Sequence, residues 1–147
     1  MAIGYSGTPL AKKLGIKEGF YVLTVNTPDD YADLLTPIPE NVTIHDAAVN
    51  ASARAKHTSH NETDLIHIFT NSRHELFGKL AECVRLIKQD GSIWVSWYKK
   101  SAKLPTEITE DTVREAAFPL GLVDIKVCAV DEKWSRLKLV IRKENRI

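Results

Sequence analysis

The chain has 147 residues, of which 44% are hydrophobic and 27% charged, with a formal net charge of +1. That length fits one domain over 1–147 that buries a core without disulfides or a structural metal. The near-neutral charge lacks the basic footprint of a general nucleic-acid binder, and no apolar run reaches the length of a membrane span.

The first residues, MAIGYSGTPLAKK, lack the basic-then-apolar pattern of a signal peptide, so a cytoplasmic protein is expected. Cys83 and Cys128 lie in apolar patterned segments and read as reduced, buried, small hydrophobic residues. Residues 1–17 read as an N-terminal arm and short helix. Ser6 or Thr8 can cap that helix, Pro9 suits its first position, and Gly15 suits the left-handed residue that ends it. Phe20 to Val25, FYVLTV, is the first strong strand pattern. Asn26-Thr27-Pro28-Asp29 breaks it, a brief helix runs to Leu35, and Pro37 and Pro39 stop that helix. Val42 to His45 is a short strand, and 47–62 is an irregular connection.

Asp64 to Thr70, DLIHIFT, has the pattern of a buried strand. Ser72 with Glu75 forms a capping box, and Leu76, Phe77, Leu80, Val84 and Ile87 recur at helical spacing. Asp90-Gly91 then predicts a turn into GSIWVSWYKK, Gly91 to Lys100. In that strand Ile93, Val95 and Trp97 alternate onto one face, and Trp94 and Tyr98 onto the other around Ser96. Apolar groups on both faces predict a central strand covered by helices. Thr109 can cap a further helix with a narrow apolar side of Val113, Ala116 and Ala117. Two strands close the chain, Val123 to Val130 and Leu137 to Arg142. The join from Asp131 to Arg136 is too short for a crossover helix, so they pair antiparallel.

Alternation of strands and helices predicts an α/β fold: a mostly parallel Rossmann-like sheet, helices on both faces, and a C-terminal antiparallel strand pair. That ending resembles the class I methyltransferase fold. Three blocks resemble a bacterial family of methyltransferase-like domains of unknown function more closely. They are GYSGTPLAKKLGIK (Gly4 to Lys17), WVSWYKK (Trp94 to Lys100) and Thr109 to Lys143. The resemblance spans most of the chain and implies a fold but no established activity. The chain departs from the family pattern at Tyr98, where proline is expected, and over 50–62, which reads as an insertion.

Ligands of open α/β sheets bind outside the carboxyl ends of the strands. Asn26, Thr70, Trp97, Lys99 and Lys100 are therefore the candidate ligand-binding residues, and the lysines, with Lys103, suit a small phosphate or carboxylate. The plain alternative is a solvated loop. Tyr5 and Trp134 are candidate interface anchors for a protein partner or a second copy. A methyltransferase needs a glycine-rich first turn, where the backbone passes close to the nucleoside. Here the turn is Asn26 to Asp30 without glycine, and Pro28 removes a donor, so no cofactor is expected. Asp46, after the second strand, is the one acidic residue suited to a ribose. His57 and His60 lack further metal ligands nearby, and no metal is expected. His45 and His67 read as hydrogen-bonded strand histidines. Arg114 can pair with Glu110 or Asp111 on a helix surface.

The functional expectation is a non-catalytic or ligand-sensing module on a methyltransferase-like scaffold. The alternatives are an enzyme acting on a small anionic substrate and a methyltransferase with an atypical S-adenosylmethionine loop. Neither nucleic acid nor membrane is expected as a partner.

Overall fold

The computed structural model describes residues 10–29, 31–46, 63–129 and 134–145. Tyr5, the Ser6 and Thr8 caps, His57, His60 and the 47–62 connection lie outside the described residues. The elements are α1 (Leu10–Leu14), β1 (Tyr21–Val25), α2 (Tyr31–Leu35), β2 (Thr43–Asp46) and β3 (Thr63–Phe69). They continue with α3 (Arg73–Cys83), β4 (Ile87–Tyr98), α4 (Glu110–Ala117), β5 (Leu122–Ala129) and β6 (Trp134–Ile141).

The described strands form a six-stranded sheet in the order β2-β1-β3-β4-β6-β5. β1 pairs parallel with β2 and β3, and β3 parallel with β4. β6 runs antiparallel between β4 and β5. The expected run of parallel strands and the closing antiparallel pair are thus present, in a sheet that is mixed as a whole. On one face Leu23, Ile66, Ile93, Val95 and Leu139 pack against Leu76 and Leu80 of α3 and Val113 and Ala116 of α4. On the other face Val22, Leu65, Phe69 and Trp94 pack against Leu14 of α1 and Tyr31 and Leu35 of α2. No helix among the described residues is long and apolar enough to cross a membrane.

Local chemistry sets the boundaries. Gly15 takes φ 88, and the bonds Gly15 N–H to Lys12 O (3.1 Å) and Ile16 N–H to Ala11 O (2.9 Å) close α1 as a Schellman motif. The Trp94 indole N–H then donates to Leu14 O at 2.9 Å, fastening the end of α1 to the central strand. Thr109 caps α4 in a reciprocal box with Thr112.

Two boundaries differ from the sequence reading. Asp90 and Gly91 lie inside β4, not in a turn, and the strand begins at Ile87. Thr63 is level with Ile87 but Leu65 with Ser92, so β4 bulges there. A Cβ on Gly91 would lie 2.8 Å from the Asp64 carbonyl oxygen and 2.8 Å from the Ile87 side chain. The glycine therefore marks a close approach between strands rather than a reversal. Trp134 opens β6, level with Tyr98, instead of sitting in the preceding turn. Cross-strand aromatic pairing there extends the ladder. β5 is the outer strand beside β6 among the described residues, and its register slips between Asp124 and Lys126.

Candidate functional site

The parallel strands β1, β3 and β4 exit side by side, which brings Asn26, Thr70 and Lys99 to one end of the sheet. Asn26 adopts φ 58, a left-handed conformation that asparagine tolerates better than most residues. The turn without glycine therefore still holds one residue in the left-handed region that glycine favours. The Tyr31 N–H closes it on Pro28 O at 3.0 Å. Thr70 is buried. Its hydroxyl donates to the Glu75 carboxylate at 2.6 Å and accepts from the Ser72 N–H at 3.2 Å. Ser72 caps α3 by accepting the Glu75 N–H, but the capping box expected from sequence is only half formed: the Ser72 N–H goes to Thr70, and the Glu75 carboxylate takes the Thr70 hydroxyl instead. Asn71 Oδ1 accepts the Tyr98 N–H at 2.8 Å and fixes the exit of β4. Lys99 is half-buried and extended, and Lys100 opens a 3-10 turn closed by Lys103 at φ 56.

Beneath this rim lies a polar line on the α1/α2 face. The Tyr31 hydroxyl is 2.9 Å from His67 Nδ1, and His67 Nε2 is 2.7 Å from the Ser96 hydroxyl. His67 and Ser96 are both 0% exposed. Arg136, also fully buried, is level with Ser96 on β6, with its guanidinium carbon 5.1 Å from the Trp94 ring. Burial pushes the His67 pKa down to about 3, and the Arg136 charge pushes it the same way. Burial holds the Tyr31 phenol well above its usual range, although Arg136 draws it back. The line is thus a neutral hydrogen-bonded relay, in which one histidine nitrogen donates and the other accepts.

Aromatic rings run from this line out to the rim. His67 stacks on Phe69 at 4.3 Å, Phe69 meets Trp134 edge-on at 4.8 Å, and Trp134 lies 4.7 Å from Tyr98 with the planes 35° apart.

Among the predicted ligand residues, Asn26, Thr70, Lys99 and Lys100 gather at the carboxyl edge. Trp97 does not join them. It is 5% exposed and packs in the core on the α3/α4 face, because β4 alternates and Trp97 follows Val95. Trp134 stands at the same end as the lysines, packed on Phe69 and Tyr98, and Tyr5 lies outside the described residues. Glu110 and Asp111 both hold Arg114, joined by Asp124, in an exposed cluster. Among the described residues no three His, Cys, Asp or Glu side chains gather where they could hold a metal. The sequence reads His67 as a hydrogen-bonded strand histidine and does not reveal its partners Tyr31 and Ser96. The signal for Ser96 was present: one small polar residue between Trp94 and Tyr98 on a buried face.

A family profile described as "Protein of unknown function (DUF3052)" matches residues 11–143. A comparison with curated proteins gives no match. Among solved structures, the chain is similar to a SAM-dependent methyltransferase from Aquifex aeolicus. That likeness has TM-score 0.67 and 17% identity over 90% of this chain and 87% of the other. A putative type 11 methyltransferase from Sulfolobus solfataricus gives TM-score 0.65 and 18% identity over 92% and 91%. A geranyl diphosphate C-methyltransferase from Streptomyces coelicolor A3(2) gives TM-score 0.62 and 7% identity over 90% and 76%. At such identities the likeness is one of fold: the sheet is methyltransferase-like.

Proposed function

Because the chain belongs to the DUF3052 family and has a methyltransferase-like fold, we propose that it is a ligand-binding module that works without turnover. The ligand is a small anion held at the carboxyl edge by Asn26, Lys99 and Lys100, while Thr70, whose hydroxyl and N–H already donate to Glu75 and to Ser96 O, shapes the floor beside them. One observation supports the absence of turnover. Tyr31 and His67, whose proton equilibria are strongly displaced, are sealed below that edge and engage each other and Ser96. A catalytic acid or base must reach the proton it moves. A histidine held neutral inside the sheet supports the ligand floor and does no chemistry on a substrate.

The test has two arms. A thermal-shift screen of phosphorylated and carboxylated metabolites is expected to give a stabilising ligand whose effect weakens in Lys99→Ala, with the unliganded midpoint kept. Incubation with S-adenosylmethionine and a lysate of small molecules is expected to leave the S-adenosylmethionine unconsumed. Formation of S-adenosylhomocysteine above a protein-free control would overturn this reading.

A second reading, a methyltransferase with an atypical loop, is favoured by the left-handed Asn26. That residue supplies one left-handed position of the kind glycine favours, with Asp46 closing β2 one strand away. On that reading calorimetry detects S-adenosylmethionine, and Asn26→Val, which disfavours φ > 0, abolishes the heat.

A further inference from the structure

The rim of β4 and β6 has a composition that anion binding alone does not require. Tyr98 and Trp134 face each other across the ladder, 4.7 Å between ring centroids, and both remain half-buried. Both residues thus stand partly exposed at the end of the sheet where ligands of this architecture sit. The pair is held rigidly. Asn71 fixes the Tyr98 backbone from one side, and Phe69, itself buried, meets the Trp134 ring at 4.8 Å from below. Tyr98 is immediately followed by Lys99 and Lys100, while Arg136 adds a buried positive charge on the same strand as Trp134. A fixed aromatic platform favours a flat ring, because stacking on it immobilises little. Lys99 and Lys100, which follow Tyr98 at the same end of the sheet, favour a negative substituent on that ring.

We propose that Tyr98 and Trp134 form a subsite for a planar ring bearing a phosphate or carboxylate, with the anionic group toward Lys99 and Lys100. The subsite rests on the reading of the carboxyl edge as a ligand site and narrows its ligand to an aryl or heteroaryl anion. It also gives Trp134 a ligand to bind in place of the protein partner expected from sequence.

The three tryptophans of the chain supply an internal control. Trp94 donates its indole N–H to Leu14 O and is fully buried, and Trp97 is buried on the opposite face. In a nitrogen–proton correlation spectrum, phenyl phosphate is expected to move the Trp134 indole signal saturably and to leave the Trp94 signal in place. Inorganic phosphate and phenol, each offering half of the ligand, are expected to bind at least tenfold more weakly. Tyr98→Ala is expected to weaken phenyl phosphate about tenfold or more, and Lys99→Ala about threefold. Thermal midpoints check that both variants stay folded. Equal affinity for phosphate and phenyl phosphate, or a Trp134 shift that survives Tyr98→Ala unchanged, would overturn the subsite. If the backbone signals of Asn26, Thr70 and Lys99 move while the Trp134 indole does not, the subsite fails and the anion site stands. If no phosphate-bearing probe moves any of these signals, both fail.

Discussion

The two faces of the sheet are built from the same strands and obey different physics. Toward α3 and α4 the strands present Leu23, Ile66, Val95 and Leu139, an aliphatic layer without buried polar side chains among these positions. Toward α1 and α2 the same strands present His67, Ser96 and Arg136, buried among aromatic rings. Alternation along one strand separates the two environments by a single residue: Val95 faces one, Ser96 the other. The aliphatic face gains stability from close packing and has no conformational alternative to specify. The polar face depends on every hydrogen bond being made, since a buried polar atom without a partner is costly. A site that positions a ligand benefits from such rigidity, and the carboxyl edge lies directly above it.

Removing rings and aliphatic groups probes the difference most strongly. Trp94→Ala is expected to cost about 3–5 kcal/mol in urea unfolding, because it empties a core volume and strands Leu14 O. Leu80→Ala on the aliphatic face should cost about 2–5 kcal/mol by the same measurement, from the cavity alone. Smaller effects come from exchanging the two characters. Ser96→Ala removes a partner of His67 and should cost about 1–3 kcal/mol, whereas Val95→Ser, one residue away, should cost as much by burying an unpaired hydroxyl. A tolerated Val95→Ser would mean that the aliphatic face admits water.

Acid sharpens the contrast further. His67 has an unfolded value near 6.5 and a folded value of about 3, so the native state holds it neutral while the unfolded chain takes up a proton. Its contribution is complete above pH 6.5 and is lost as pH falls toward 3, with a slope of at most about 1.4 kcal/mol per pH unit. His67→Gln should flatten that part of the stability–pH profile measured by urea titration. The smallest effect belongs to the surface. Arg73 pairs with Glu115 at the surface, each holding the other's charge on, and Arg73→Ala should shift the urea midpoint least of all. Whatever shift it has should vanish in high salt.

How much of this was legible depended on how local each feature is. The central strand was readable because its two-sided apolar pattern needs no knowledge of neighbours, and the Ser72 and Thr109 caps because they act within one turn. Gly91 was misread because a glycine after an aspartate marks a reversal in most contexts. Its real constraint is the Asp64 carbonyl, which only the register brings near. The polar line joins Tyr31, His67 and Ser96 from three separate elements, so it appears only once the strand order is known. Lack of glycine in the first turn was legible, but not that Asn26 would take the left-handed conformation in its stead. Trp134 was assigned to a connection because its polar neighbours mask the start of a strand, and its pairing with Tyr98 could not be seen from the sequence alone.

The slip in β5 between Asp124 and Lys126 has a consequence for the molecule among its own copies. It falls on the outer strand of the described sheet, at Ile125, which is 56% exposed. A straight margin with an apolar side chain would offer a ready template for another chain's strand, and fibrous growth starts from such templates. The offset breaks the even spacing of donors and acceptors there, so an incoming strand meets a mismatch midway. The irregularity thus opposes strand addition at the place where an isoleucine stands in water.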